Sequence, residues 1–251
     1  SVGLNATTLK NRVVSIQKGI DYILTGTAEN RTIMAVGQAM NSFFGYKVIG
    51  IYKNEAEVKS DPIAVANGYK PGYLKYADMN NDGVLDDNDR TYLGSPYPTF
   101  TYGGNVSLAW KNVDFGLTFY GLTGAEVANS KSGFRNYAST MNFTEKYYNN
   151  HWTTSNTDSK NPSVEGLMKA ANGKLNGYFV QKAGYFQVQN ISLGYTFKKL
   201  FDRADARVYL SADRPFSFYS YEGFNPDITT GLDTTTYPMY STYSIGVNIT
   251  F

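Results

Sequence analysis

Oxygen-bearing side chains recur between residues 78 and 89 at the spacing of a calcium-binding loop. In an EF-hand loop, side-chain oxygens and one backbone carbonyl surround a single Ca²⁺ ion, and a central glycine allows the sharp turn. Calcium is a hard cation that takes oxygen ligands. The matching positions here are Asp78, Asn80, Asp82, Val84 through its carbonyl, Asp86 and Asp89, with Gly83 at the turn.

The flanks and the last ligand of this loop depart from the EF-hand pattern. Asp89 stands where glutamate is usual, Pro71 and Gly72 precede the loop, and Gly94 and Pro96 follow it, so we do not expect helices on both sides. The sequence therefore predicts a rigid loop clipped by calcium and not a calcium sensor. The alternative is a turn that orders itself without metal, because aspartate and asparagine readily bond to their own backbone.

The composition argues against most other chemistry. The 251 residues contain no cysteine and a single histidine, which disfavours thiolate or histidine metal sites, cysteine nucleophiles and serine–histidine–aspartate triads. No nucleophile constellation, carboxylate pair or phosphate-binding glycine loop is evident, so we expect no enzymatic activity. The 23 basic and 21 acidic side chains give a net charge of +2, and we expect no nucleic-acid partner.

The elements that would position this loop are β-strands, because alternation of apolar and small polar residues dominates the sequence. The clearest runs are 99–110, 113–120, 189–197 and 243–251, and weaker candidates are 2–17, 31–49 and 206–213. Lys111 and Asn112 separate the first two runs, which predicts a hairpin. We interpret Lys111 and Asp114 at this turn as ordinary interface charges.

Such strands fit either a soluble sandwich or a membrane barrel whose apolar face meets lipid and whose small polar residues line a wet lumen. Short links that alternate with long ones favour the barrel. The 22 tyrosines, 15 phenylalanines and 2 tryptophans fit aromatic girdles at the membrane interfaces. The polar residues expected in the lumen are Asn105, Ser107, Thr118, Tyr120, Asn190, Ser192 and Asn248.

We therefore interpret the chain as part of an all-β, transmembrane antiparallel barrel, to which it supplies about seven strands. Successive strands of such a barrel run in opposite directions, so their connections alternate between the two sides of the membrane. Long loops at 51–98, 124–184 and 214–240 then lie outside the cell, and links at about 18–30, 111–112 and 198–203 lie in the periplasm. Bacterial barrels have an even number of strands, at least about eight, and an open sheet would leave unpaired edges in lipid. We therefore expect residues 1–251 to be the C-terminal part of a larger barrel.

Several motifs resemble the SusC/RagA-like TonB-dependent outer-membrane transporters of Bacteroidota, over about residues 45–251. These motifs are the loop at 78–83, Gly94-Ser95-Pro96, Phe100-Thr101-Tyr102-Gly103, Trp110-Lys111-Asn112-Val113-Asp114, Gly184-Tyr185-Phe186, Asn190-Ile191-Ser192-Leu193-Gly194-Tyr195, Arg207-Val208-Tyr209, Gly223-Phe224-Asn225-Pro226-Asp227 and Tyr237-Pro238. Residues 149–152 and 213–215 depart from the pattern of the family.

The resemblance implies a barrel of 22 strands in the outer membrane of a Gram-negative bacterium, with the plug and the N-terminal regions outside this sequence. It implies outer-membrane lipid around the barrel and energy from TonB, ExbB and ExbD. It also implies a SusD-like surface lipoprotein that captures an oligosaccharide or peptide. The implied function is active import of a nutrient oligomer.

Four aromatic residues of the expected outer loops are candidates for weak substrate contacts: Trp152, Tyr219, Tyr221 and Phe224. Each could instead pack its own loop, since large aromatic side chains are mostly buried. Two other functions stay open. One is a passive outer-membrane porin or adhesin barrel, and the other is a secreted, calcium-binding β-rich module.

Overall fold

A computed structural model describes residues 1–27, 30–129, 143–173, 175–200, 203–234 and 236–251. Of the residues that the structure describes, 47% lie in strands and 12% in helices, which confirms the prediction of a mainly β fold. The strands are β1 (Val2–Thr8), β2 (Tyr22–Thr25), β3 (Thr32–Ala35), β4 (Ser42–Tyr46), β5 (Val48–Ile51), β6 (Leu74–Tyr76), β7 (Arg90–Gly94), β8 (Phe100–Trp110), β9 (Val113–Thr123), β10 (Glu126–Asn129), β11 (Val180–Lys182), β12 (Tyr185–Leu200), β13 (Ala204–Tyr219), β14 (Leu232–Asp233) and β15 (Thr242–Thr250).

The described residues also form four short α-helices, α1 (Glu55–Ser60), α2 (Pro62–Ala66), α3 (Glu145–Asn150) and α4 (Val164–Ala171), and one 3-10 turn at Asp87–Asp89. Their starts follow from local sequence. Asn54 caps α1 by accepting the N–H of Glu57, and Ser163 caps α4 in the same way from Gly166. In the described part of the chain, none of the helices has the length and apolar character needed to cross a membrane.

The largest sheet has six strands in the order β1-β8-β9-β12-β13-β15, and every neighbouring pair is antiparallel. We call it the main sheet. The sheet is not closed, because β1 and β15 lie at its two edges. At one end, which we call the turn end, β8 ends at Trp110 and β9 begins at Val113, and β12 ends at Leu200 and β13 begins at Ala204. The connections 9–99, 124–184 and 220–241 all leave from the opposite end, the long-loop end.

We expected seven strands in one sheet, but the main sheet has six. Residues 31–49 do not join the main sheet but contribute β3 and β4 to a separate sheet in the order β2-β3-β4-β7. The positive φ angles of Gly37 and Asn41 break this segment into short pieces, and four or five residues cannot span a bilayer. The link at 18–30 therefore lies within the 9–99 connection at the long-loop end, and not at the turn end.

The long connections fold into a layer of small sheets and helices, which we call the loop layer. Besides the β2-β3-β4-β7 sheet it contains the β5-β6 pair and a three-stranded sheet in the order β11-β10-β14. Its hydrophobic clusters hold segments that are distant in sequence. One cluster packs β6 against α3 and α4 through Leu74, Tyr147, Leu167, Ala170 and Phe179.

Candidate functional site

The two faces of the main sheet have opposite character, and this follows from the register of the strands. One row across the sheet reads Leu108, Phe115, Leu193, Leu210 and Ile245. The adjacent row, which points to the other face, reads Ser107, Gly116, Ser192, Ser211 and Ser244. Side chains alternate between faces along a strand, so a single sheet presents a hydrocarbon surface on one side and a hydroxyl-lined surface on the other.

The polar face collects the residues that alternation assigned to it. The register places all seven predicted lumen residues, Asn105, Ser107, Thr118, Tyr120, Asn190, Ser192 and Asn248, on this face. Cross-strand hydrogen bonds order it. The side-chain amide of Asn190 donates to the Ser211 hydroxyl at 3.0 Å and to the Asp213 carboxylate at 2.7 Å. This face is the candidate transport surface of the chain.

An ion pair crosses the polar face near the turn end. Arg207 donates from Nε to Asp114 Oδ2 at 2.8 Å and from Nη2 to Asp114 Oδ1 at 2.6 Å. Gly194, on the strand between them, leaves the space that the pair occupies, and the guanidinium also lies 4.7 Å from the ring centre of Tyr209. Asp114, interpreted from the sequence as an interface charge, is thus one half of an ion pair that crosses the sheet. The even spacing of Arg207 from Tyr209 and Ser211 places Arg207 on the polar face, but the sequence does not show which residue of another strand lies beside it.

The apolar face carries aromatic rings towards both of its ends. At the long-loop end the ring of Phe186 stacks on Tyr102 at 6.3 Å and on Phe218 at 6.2 Å. At the turn end Trp110 is largely exposed, and the Lys111 ammonium lies 4.8 Å from its ring centre. Residues 102–110 of β8 separate the two zones by about 26 Å along the strand. At the strand tilt of about 35 to 45° that is usual in outer-membrane barrels, this length spans about 20 Å across the membrane, near the apolar band of about 25 Å between their aromatic girdles.

The loop at 78–89 closes mainly through its own backbone. Asp78 Oδ1 accepts the N–H groups of Asn81 and Asp82 at 2.7 and 3.3 Å, and its Oδ2 accepts Gly83 N–H at 2.8 Å. Asn81 and Gly83 have φ angles of 60° and 78°, a conformation that asparagine and glycine tolerate best. The first carboxylate thus caps the turn, as the Asx-turn alternative requires.

Asp89 ties the two ends of this loop together. Its carboxylate accepts Met79 N–H and Asp86 N–H, both at 2.8 Å, and the residue is fully buried. Asp87, which is not a predicted ligand, pairs with Arg90 at 2.8 Å. Within the described residues no three histidine, cysteine, aspartate or glutamate side chains are grouped closely enough to hold a metal ion. Calcium binding here stays a prediction.

The four aromatic residues predicted to touch substrate do not form one platform. Tyr221 is 4% exposed and donates from its hydroxyl to Asp233 at 2.6 Å, so its ring belongs to the core of the loop layer. Trp152 packs in another part of that layer, against Gly72. Tyr219 and Phe224 keep about two fifths of their surface exposed, at 39% and 41%. Only these last two present open aromatic surface.

Charged groups link separate segments of the loop layer. The carboxylate of Asp61 accepts the Tyr52 hydroxyl at 2.8 Å and lies 3.5 Å from the Lys75 ammonium. Burial works to raise the pKa of Asp61, but these contacts and two backbone N–H groups hold it below its usual value. At the start of β10, the carboxylate of Glu126 accepts Ser95 N–H at 3.0 Å, and burial raises the pKa of Glu126 despite that bond and nearby Lys182.

No family model matches the chain, but individual proteins do. The TonB-dependent receptor P3 of Formosa agariphila is 26% identical over 100% of this chain and 26% of its own length. The TonB-dependent receptor SusC of Bacteroides thetaiotaomicron is 25% identical over 98% of this chain and 24% of its own length. The chain therefore spans about a quarter of the length of the curated relatives that it matches.

A solved structure has the same fold. The RagAB peptide transporter matches 98% of this chain and 26% of the transporter chain, with a TM-score of 0.75 and 20% sequence identity. Together with the receptors P3 and SusC, this match confirms the expected resemblance to SusC/RagA-like TonB-dependent receptors. All of these similar proteins are receptors or transporters, in agreement with the prediction that the chain is not an enzyme.

Proposed function

We propose that this chain is part of the barrel of a TonB-dependent receptor that imports a nutrient oligomer across the outer membrane of a Gram-negative bacterium. The observation that carries the proposal is the two-faced main sheet, with its apolar band between aromatic zones and its hydroxyl-lined opposite face. In this arrangement the polar face lines the lumen and the apolar face contacts lipid. The loop layer then lies outside the cell and the turn end in the periplasm.

The open edges of the main sheet support membership of a larger barrel. β1 and β15 each have one neighbour in the sheet among the described strands, and an unpaired strand edge is not stable in hydrocarbon. Segments outside these 251 residues would supply the remaining strands of a closed barrel. The resemblance puts the total at 22 strands, and the main sheet would contribute six of them.

The proposal also names the partners and the cargo of the receptor. Similarity to SusC and to the RagAB peptide transporter supports a SusD-like lipoprotein at the cell surface, energy from TonB, ExbB and ExbD, and an oligosaccharide or peptide as cargo. The loop layer and the exposed rings of Tyr219 and Phe224 would face that lipoprotein and the incoming oligomer.

Uptake by cells that carry the full-length protein tests this function. We expect a labelled oligomer to accumulate against its gradient and to do so only when TonB is present. Equal uptake with and without TonB would favour a passive porin. Recovery of the full-length protein from the culture medium in soluble form, and not from the outer-membrane fraction, would favour the secreted calcium-binding module.

Calcium at the loop 78–89 is a separate part of the proposal. The carboxylate of Asp89 is fully buried, and no cationic group pairs with it in the described part of the chain; a buried charge is normally paired or bound to a metal. Asp78, Asn80, Asp82, Asp86 and the carbonyl of Val84 would be the other ligands. Because Asp78 and Asp89 already accept backbone N–H groups, an ion would have to compete with these bonds. Slower hydrogen exchange of this loop in calcium than in chelator would support the proposal.

A further inference from the structure

A cavity of about 220 Å³ lies in the loop layer between β6, α4 and the loop 78–89. Four tyrosines, Tyr46, Tyr69, Tyr73 and Tyr76, supply most of its wall, and Leu85 from the loop 78–89 closes one side. Pockets for drug-sized ligands hold about 300 to 1,000 Å³. The volume of this cavity fits a single ring-sized group, and the tyrosine side chains determine the chemistry of the ring that can bind there.

The tyrosine rings form a wall that exists before any ligand binds. Tyr69 lies 5.8 Å from Tyr73 and 6.3 Å from Tyr76 between ring centres, and Tyr46 lies 5.9 Å from Tyr76. Tyr46 and Tyr73 are each only 6% exposed. Packing holds these rings in place, so a ligand would not have to order them, and that lowers the entropic cost of binding.

Two hydroxyl groups of this wall are available to a ligand. The hydroxyl of Tyr46 donates to Asp87 at 3.4 Å, but those of Tyr69 and Tyr76 have no hydrogen-bond partner in the described part of the chain. A tyrosine hydroxyl both donates and accepts, and an unmade hydrogen bond in a half-buried place costs free energy. Hydroxyl groups of a ligand would form hydrogen bonds with both tyrosine hydroxyls.

The charge of the wall selects against cationic ligands. Lys169 of α4 is the one charged side chain among the described residues that line the cavity. Aromatic walls can also hold ammonium groups, but such sites are strengthened by a carboxylate, and this wall contributes an ammonium instead. The cavity therefore suits a neutral or acidic ring that has an apolar face and several hydroxyl groups.

We infer that the cavity binds one pyranose ring of an oligosaccharide. The C–H face of the sugar would pack on the tyrosine rings, its hydroxyls would bond to Tyr69 and Tyr76, and Lys169 would favour a ring that carries a carboxylate. This inference deepens the proposed function, on which it rests in part, since it selects glycan over peptide as the cargo class held at this place. It also makes the loop 78–89 part of a sugar site through Leu85.

Binding of free glucuronic acid and glucose to the full-length protein in detergent tests the inference, with saturation-transfer NMR as the readout. We expect both sugars to bind, glucuronic acid more tightly. The double variant Tyr69→Phe/Tyr76→Phe should bind each of them roughly tenfold more weakly, because it removes two hydrogen bonds and keeps both rings. Its melting temperature should not fall, since neither hydroxyl has a partner to lose.

Two control variants separate binding from folding. Tyr148→Phe alters an exposed tyrosine outside the cavity and should leave sugar binding unchanged. Tyr52→Phe removes the hydroxyl that donates to Asp61. This variant should lower the stability of the protein without the tenfold loss of sugar binding expected for the double variant. Equal sugar binding by the wild type and the double variant would overturn the inference, as would saturable binding of the tripeptide Gly-Phe-Gly in place of both sugars.

Uptake in the same cells distinguishes failure of the cavity from failure of the proposed function. TonB-dependent import of an oligomer together with no sugar binding in the cavity would overturn only this inference. Sugar binding that depends on Tyr69 and Tyr76, without any TonB-dependent import, would overturn the transporter proposal and leave the sugar site standing.

Discussion

Arg207 holds Asp114 through two parallel hydrogen bonds, of 2.8 and 2.6 Å, that pass over the backbone of Gly194. The three residues lie on three adjacent strands, because β12 runs between β9 and β13. The pair therefore ties three strands together on the polar face. A bidentate guanidinium–carboxylate contact has a fixed geometry, and that geometry depends on the absence of a side chain at Gly194.

We expect Gly194→Ala to separate this pair and to destabilise the main sheet by about 1 to 3 kcal/mol, the usual cost of overpacking. A Cβ at this position would lie 2.5 Å from Asp114 Oδ2 and 2.6 Å from Arg207 Nη2. Thermal unfolding of the full-length protein in detergent measures the effect. Gly50→Ala is the matched control, because nothing lies within 4 Å of the added carbon. Equal melting temperatures for the two variants would contradict the role assigned to Gly194.

The faces of the main sheet could be predicted from the sequence. In a long strand, successive side chains point to opposite faces, so alternating polar and apolar residues give one polar face and one apolar face. In the runs of 9 to 16 residues that make β8, β9, β12, β13 and β15, the polar and apolar sets fell on the expected sides. Residues 31–49 misled the same reasoning. Ile33 and Phe43 are buried in the loop layer, and a half-buried strand of a small sheet alternates just as a membrane strand does.

Contacts between distant segments could not be predicted in the same way. The tyrosine-lined cavity combines residue 46, residues 69–76 and residue 169, and no local pattern states that these segments meet. The buried position of Tyr221 depends in the same way on β14, a two-residue strand that pairs in parallel with β10. Short pairings of this kind carry no period that a sequence reader could detect.

Tyr221 anchors the 220–241 connection, and we expect Tyr221→Phe to loosen it. The hydroxyl donates to Asp233 at 2.6 Å, and the two residues are 4% and 1% exposed. Loss of a donor to a buried carboxylate costs about 1 to 3 kcal/mol. Hydrogen exchange of residues 221–234 in the full-length protein should become faster. Tyr237→Phe, at an exposed ring, should cause no change, and equal exchange in both variants would show that the bond does not hold this connection.

The stability of the loop layer should fall in acid because of Asp61. Its pKa is held below the ordinary value, against the effect of burial, by the Tyr52 hydroxyl, two backbone N–H groups and Lys75. A carboxyl with a lowered folded-state pKa contributes stability above its unfolded pKa, about 4, and this contribution is lost as the pH falls through the folded pKa.

The variant Asp61→Asn should therefore melt at a lower temperature than the wild type at pH 7, and the difference should shrink towards pH 3. Asp158→Asn is the control. Asp158 pairs with Lys53 at the surface, and exposed pairs contribute little. A melting difference between Asp61→Asn and the wild type that stays constant from pH 7 to pH 3 would show that the contribution of Asp61 is not electrostatic.

Phe186 is the centre of the aromatic zone at the long-loop end. Its ring lies within 6.3 Å of Tyr102, Phe119 and Phe218, and each such ring pair adds about 0.5 to 1.5 kcal/mol beyond simple burial. We expect Phe186→Ala to lower the free energy of unfolding in detergent by at least about 1 kcal/mol more than Tyr243→Ala. Tyr243 is on the same sheet but largely exposed. Equal losses would mean that the rings act only through contact with lipid.

Calcium should stabilise the loop layer if the loop 78–89 binds it. A calcium concentration a hundredfold above the dissociation constant adds about 2.7 kcal/mol to the free energy of unfolding. The melting temperature should therefore rise with calcium and return to its starting value with chelator.

Two variants of the loop test where the ion binds. Asp82→Asn keeps an oxygen for the Val84 N–H bond of 2.8 Å but removes the charge, and we expect it to weaken calcium binding about tenfold. Asp87→Asn, in the same loop but paired with Arg90, should not. A melting temperature independent of calcium would leave the loop as a self-closed turn.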